Sequence, residues 1–269
     1  MTIKQIHELI PGPLQGKLRI RARLSPILRL SSSYRTWEKR NAELEFWTLV
    51  FDARFHESRF WMDDVEDLLR EYGEWPESVA IKDLDYSRLR WLEGRALYLR
   101  VLKEFGIDDR SFFVGKRVID IGPGPQGLLE ACEADVKIAI EPLATEFQKN
   151  GLLVPSSDTV YLAISAESIP LLDGSADIVI ARNSLDHVEA PQRVCQEVCR
   201  LLSPGGTFLL NVDLNHEPTV WEPHCLSLDT IHQYLSGLEI VRELIIPQGE
   251  RRHMPQLIGV YRKPNGIQR

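Results

Sequence analysis

Val118-Ile119-Asp120-Ile121-Gly122-Pro123-Gly124-Pro125-Gln126-Gly127 is the stretch on which the fold turns. Its first half is a short apolar run with one acid, which predicts a strand from Arg117 to Ile121. The glycines then predict a tight turn, where the backbone comes close to a ligand and a Cβ would collide. A helix is expected to begin near Gln126, with Gly127 allowing it to pack closely on a sheet. Asp120 falls at the end of the strand, the edge where open α/β sheets bind ligands.

About twenty residues on, Ile138-Ala139-Ile140-Glu141-Pro142 ends a second apolar run with a carboxylate. An acid there can accept hydrogen bonds from both hydroxyls of a ribose. Further runs follow at Val160–Ile164, Asp177–Ala181, Thr207–Val212, Glu239–Ile246 and Gln256–Tyr261. The segments between the first five runs have room for helices. That alternation predicts an α/β fold, a doubly wound and mostly parallel seven-stranded sheet. Gly205-Gly206 suits a turn feeding the fifth strand, and the last two runs are expected to form an antiparallel hairpin. By themselves, the glycine turn and the carboxylate also fit a nicotinamide or flavin protein.

Upstream the pattern is helical. Leu44, Trp47, Phe51 and Phe55 form one stripe, a second amphipathic stretch starts near Phe60, and Pro76 interrupts it. A third helix fits Ser87 to Phe105, with Leu89, Leu92, Ala96 and Leu99 on one side and Gly106 as its stop. Core packing is the plain reading of these faces, and a lid over a substrate pocket is the functional one. The expected organisation is a basic irregular arm over 1–35, a helical lid or substrate region over 36–110, and a ligand-binding domain over 111–269.

The whole chain of 269 residues carries a net charge of −7. Residues 1–40 hold nine Lys/Arg and two Asp/Glu, so they carry +7 and the remaining 229 carry −14. The acidic body argues against a nucleic-acid binder, which needs a basic face. The basic arm suits an anionic partner, a membrane surface or the acidic body of another subunit; a solvated tail is the plainer reading. No transmembrane run and no secretory signal are read, and four cysteines in this length make no disulfide framework. A cytoplasmic protein is expected.

Four segments, taken together, resemble the class I S-adenosylmethionine-dependent methyltransferases of the small-molecule branch. Asp120-Ile121-Gly122-Pro123-Gly124 is similar to the family's acidic glycine loop, and Glu141 to its ribose-binding carboxylate. Residues Ser165 to Asp177 resemble its adenine-side loop and fourth strand. Arg200-Leu201-Leu202-Ser203-Pro204-Gly205-Gly206 resembles the turn before its fifth strand. The resemblance spans Gly115 to Val212 and leaves the first third uncovered. It implies a Rossmann-like methyltransferase fold and S-adenosylmethionine as cofactor, with S-adenosylhomocysteine as product. It also implies that Asp120 and the backbone of Gly122 and Gly124 surround the methionine part. Glu141, beside Pro142, would hold the ribose. Ala166 would offer its N–H to adenine with Ser165 or Glu167 beside it, and Arg182 and Asn183 would line the sulfonium region. Two features depart from the pattern. Ser165 stands where the family often has Asp, and Pro125-Gln126 precede the third glycine.

The loop Asn183-Ser184-Leu185-Asp186-His187-Val188 follows the fourth strand, next to the expected methyl. His187, with an ordinary pKa near ~6.5, is a candidate general base on a substrate hydroxyl. Asp186 would orient it or bind substrate; packing against the cofactor is the alternative for His187. A second polar group follows the fifth strand, in Asp213, Asn215, His216, Glu217 and then Glu222-Pro223-His224. Asp213, His216 and His224 are candidate substrate contacts. Asp186, Asp213, His216 and His224 are of types that bind divalent ions, but their spacing matches no metal motif, and no metal is expected. Cys195 and Cys199, four apart on a helix, read as small buried residues. The expected reaction is methyl transfer to a small molecule, with oxygen ahead of nitrogen or carbon. A methyltransferase-like subunit without catalysis and a nicotinamide oxidoreductase are the alternatives.

Overall fold

The computed structural model of the chain describes residues 32–52, 61–76, 86–125, 128–153, 158–219, 221–248 and 254–265. Most of the basic arm, Phe55 and the pair Gln126-Gly127 lie outside the described residues.

Three helices lead: α1 (Ser32–Asp52), α2 (Trp61–Glu71) and α3 (Tyr86–Phe105). α1 starts inside the boundary drawn at residue 35. α2 and α3 each stop at a left-handed glycine, Gly73 at φ 70° and Gly106 at φ 64°. After each, the next N–H reaches back five residues: Glu74 N to Leu69 O at 2.7 Å, and Ile107 N to Leu102 O at 2.8 Å. This closes the last carbonyls, which would otherwise lack donors.

The sheet follows, with β1 (Arg117–Ile121), β2 (Val136–Ile140), β3 (Thr159–Leu162), β4 (Ala176–Arg182), β5 (Leu202–Asp213), β6 (Glu239–Ile246) and β7 (Gln256–Arg262). Between them lie α4 (Ala144–Lys149), α5 (Pro191–Leu201) and α6 (Leu228–Tyr234). The strand order is β3-β2-β1-β4-β5-β7-β6. Strands β1 to β5 pair in parallel, and β7 runs antiparallel to both β5 and β6. The expected seven-stranded, mostly parallel sheet with its terminal hairpin is therefore present.

Alternate residues of each strand bury into two cores. On one face Ile119, Ile121, Val179, Ala181, Phe208 and Leu210 meet Val194, Cys195, Val198 and Leu201 of α5. On the other face Val118, Ile178, Ile180 and Leu209 meet Leu92, Leu99, Leu102 and Phe105 of α3. The predicted stripe of Leu89, Leu92, Ala96 and Leu99 is buried, none of it more than 3% exposed.

The connections differ from expectation at two places. Between β1 and β2 the described residues hold only a 3-10 turn, Leu129–Ala131, in place of a helix. Residues 122–135 are too few to make the glycine turn and then a full helix that packs back on the sheet. α3 occupies that face instead, and its Arg95 donates to the Ala131 carbonyl at 3.2 Å. Between β3 and β4 residues 163–175 run as turns without a helix.

Two clasps tie the strands and their connections together. Arg117 and Asp177 pair at 2.7 Å across β1 and β4, and Asp177 also accepts from Arg117 N at 3.0 Å and from Ser203 Oγ at 3.1 Å. Arg200 of α5 donates to the carbonyls of Ile169 (2.8 Å) and Leu171 (2.6 Å) and pairs with Glu197 at 2.8 Å. Glu197 accepts in turn from Ile169 N at 2.7 Å. Among the described residues no helix is long and apolar enough to cross a membrane.

Candidate functional site

The sheet reverses its order between β1 and β4, and the ends of these strands open a crevice where ligands bind in such folds. The glycine turn lies there. Gly122 sits at φ 64° and Gly124 at φ 62°, both in the left-handed region that disfavours side chains. Gly122 N donates to Ile140 O at 2.9 Å, which ties the turn to β2. A Cβ on Gly122 would stand 2.6 Å from Ser184 Cβ, and one on Gly124 would stand 2.9 Å from the ring of Trp47. The loop has room for backbone alone. Arg90 of α3 holds its far side by donating to the Pro125 carbonyl.

Two carboxylates flank the turn. Asp120 is 3% exposed and Glu141 6% exposed. Burial pushes Asp120 up to about 7, with Arg182 pulling the other way. Glu141 is likewise raised to about 7 by burial, against hydrogen bonds from two backbone N–H groups. Those donors are Gly124 N to Oε2 at 3.0 Å and Leu143 N to Oε1 at 2.9 Å. A carboxylate has about four lone-pair sites, so two remain for hydroxyl donors. This set fits a ribose-bearing cofactor: a buried acceptor at the β2 end, beside a cradle a Cβ would fill.

The remaining residues implied by the resemblance have the following partners. Arg182 pairs with Glu104 of α3 at 3.1 Å, on the same face of the sheet as Asp120. Asn183 has φ 49° and donates to Asn211 O at 2.7 Å. Pro142 lends its carbonyl to Arg40 of α1 at 3.2 Å. In the loop after β3 Ala166 is buried, and Ser165 is exposed and bonds Glu167. Glu167 accepts from Glu189 N at 2.8 Å and Ala190 N at 3.1 Å, which joins this loop to the start of α5.

Beyond the turn the loops after β4 and β5 converge. Asp186 is wholly buried, with His216 3% and Glu222 5% exposed. His216 Nε2 stands 3.4 Å from Asp186 Oδ2, and His187 Nε2 stands 3.7 Å from Glu222 Oε1. α1 adds Glu43, 3.5 Å from His187 Nδ1. Asp186 pushes His216 up to about 9. Burial opposes the charge on His187, but Glu43, Asp186 and Glu222 together outweigh it and raise its pKa. Burial also raises Glu222.

The structure thus brings Asp186, His187 and His216 together. His224 instead meets the Val188 carbonyl at 2.9 Å, and Asp213 accepts from Gln256 Nε2 at 3.0 Å. Sequence reasoning did not select Glu43, Trp47 or Ser184, and Glu222 stood only as one member of a polar stretch. Glu222 had a local signal in that stretch. Trp47 had its place in the apolar stripe and Glu43 had no signal, and nothing within α1 says which edge of the sheet it covers. Leu44 and Trp47 pack on Leu143, Ala144 and Phe147 around α4, and Arg40 pairs with Glu146 at 2.9 Å.

Residues 119–210 match the model of a family described as a methyltransferase domain. An uncharacterized methyltransferase of Mycobacteroides abscessus is 34% identical over 115 residues, covering 40% of this chain and 41% of the relative. One from Mycobacterium avium is 30% identical over 110 residues with the same coverage. The chain thus spans about two fifths of the curated relatives it matches. Among solved structures, a Listeria monocytogenes protein described as an S-adenosylmethionine dependent methyltransferase superposes with a TM-score of 0.50 at 16% identity, over 61% of this chain and 98% of that one. That likeness is one of fold. The matched segment runs from β1 into β5, and this part of the chain is similar to a methyltransferase domain.

Proposed function

We propose that the protein transfers a methyl group from S-adenosylmethionine to a small-molecule acceptor, through an oxygen nucleophile. The observation that carries the reading is the pair of buried carboxylates, Asp120 and Glu141, on adjacent strand ends around two left-handed glycines. In this reading Glu141 binds the ribose hydroxyls, and Asp120, Gly122 and Gly124 bound the methionine part. Ser165, Ala166 and Glu167 edge the adenine, and Arg182 and Asn183 close the sulfonium side. The cofactor, when bound, supplies a methyl group activated on a cationic sulfur.

Asp186 and His187 are the residues proposed to act on the acceptor, with His216 beside them. Methyl transfer needs the nucleophile aligned with the S–CH3 bond, so holding the acceptor supplies much of the rate. A hydroxyl must also give up its proton, and a cluster of imidazoles and carboxylates suits that task. This supports oxygen over carbon. The helical region 36–110 is proposed to choose the acceptor, since α1 brings Glu43 and Trp47 to the site.

Calorimetric titration with S-adenosylhomocysteine, with NADH as control, tests the cofactor. Stoichiometric binding of the first alone is expected. Glu141→Ala removes acceptors whose charge-assisted bonds are worth about 1.5–3 kcal/mol each, so affinity should fall at least about tenfold. Wild-type affinity in that variant, or binding of NADH instead, overturns the reading.

A further inference from the structure

Five buried polar atoms without a hydrogen-bond partner fall in one place beside the glycine turn. They are Asp186 Oδ1 and Oδ2, His187 Nε2, His216 Nε2 and Glu222 Oε2. The side chains of Asp186 and His216 are 0% exposed, and that of Glu222 is 7% exposed. An unpaired carboxylate at such depth is costly, and here two of them converge.

The imidazoles sharpen the point. A carbonyl or a carboxylate oxygen can only accept, so the ring nitrogen facing it carries the proton. His216 Nδ1 faces the Glu217 carbonyl at 3.1 Å, and His187 Nδ1 faces Glu43 at 3.5 Å. In the neutral rings both Nε2 atoms then present lone pairs, one to Asp186 and one to Glu222. Lone pair against carboxylate gives no attraction. Either a proton on the ring nitrogen or a metal cation between ring and carboxylate satisfies both. A ring held through its N–H by an oxygen, with the other nitrogen turned inward, is the way metal-binding histidines are oriented.

Asp186, His187 and Glu222 each bring one ligand atom within 4.8 Å of the others. Ligands at about 2.0–2.2 Å from an ion lie about 3.3–3.6 Å apart in a tetrahedral site, so the side chains need close by at most about 1.5 Å. We propose that Asp186, His187 and Glu222 hold a divalent transition-metal cation, with His216 packed behind Asp186 and a coordination position left for the acceptor oxygen. A mixed imidazole and carboxylate set favours zinc, manganese or iron(II) over magnesium, which prefers oxygen and water. Three protein ligands leave the open position that metal sites acting on substrates keep. The ion's use in methyl transfer rests on the function proposed above, where Asp186 and His187 would then act on the acceptor through it; its binding does not.

Chelator-treated protein titrated with Co2+, followed by visible absorbance and metal analysis, tests this. One equivalent should bind, and Zn2+ should displace it. Asp186→Asn and Glu222→Gln should each weaken binding at least about tenfold. His232→Gln, which alters a histidine paired with Glu243 at 2.9 Å, should leave it unchanged. Mn2+ on the wild type should show imidazole nitrogen coupling in electron-spin-echo spectra, a readout that needs no variant. No stoichiometric uptake by folded protein, uptake indifferent to both substitutions, or Mn2+ without nitrogen coupling each overturns the proposal, and protons on the rings then balance the cluster. S-adenosylhomocysteine titrated in parallel separates the two readings: cofactor binding without metal uptake removes the ion, and the converse removes the methyltransferase.

Discussion

Asp177 illustrates how a residue within a family-like segment can serve the framework. It accepts from the Arg117 guanidinium, from Arg117 N and from Ser203, and these hold its carboxyl well below the usual carboxylate range. A depressed pKa contributes stability above the unfolded value, and that stability is lost as pH falls toward the folded one. Both partners are partly exposed, at 41% and 30%, so solvent screens the pair. Asp177→Asn should therefore cost only about 1 kcal/mol at neutral pH. The deficit should hold from pH 8 to 5 and shrink below about pH 4, where the carboxyl of the unfolded chain begins to protonate while the folded one stays ionised. Urea titrations of both proteins across that range check it. Glu141 and Asp120 were legible as sequence because each ends an apolar run. The grouping of Asp186 with Glu222 was not, because the two come from loops after different strands and meet only when β4 and β5 pair.

α1 shows what an amphipathic pattern leaves open. Leu44 and Trp47 stood out as an apolar stripe, and both do pack, but on the residues around α4 and on the glycine turn. The stripe says that a face is buried and is silent on its partner. Trp47→Ala would uncover the turn at Gly124 while leaving Asp120 and Glu141 in place. The expected outcome is faster release of bound S-adenosylhomocysteine, several-fold in stopped-flow displacement, with little change in association. An unchanged release rate would separate α1 from the cofactor edge. The strand limits were read closely, and β1 and β6 stand where expected. Among the described residues a 3-10 turn stands where the helix after the glycine turn was expected, since an alternating pattern reports only that a connection exists and not how long a helix it can hold.

At the scale of the molecule, α3 joins the helical first third to the sheet. Leu99 is 0% exposed in the core that also holds Ile178, Ile180 and Leu209. Leu99→Ala should cost about 2–5 kcal/mol through lost transfer energy and the cavity left behind. Because the core is shared, tryptophan fluorescence, which samples mainly the helices, and far-UV dichroism should lose signal together on heating. Two separate transitions would make the helices an independent unit.

The strand order carries a consequence for how the chain comes together. β6 touches the sheet through β7, which lies between it and β5. Yet β6 leaves the ribosome first. Until Gln256–Arg262 has been made, the edge of β5 stays open and β6 has no strand to join, so the nascent chain carries an unpaired edge of the kind that invites aggregation. Completion of this sheet therefore waits on β7, and until then the nascent chain depends on protection of its open edge.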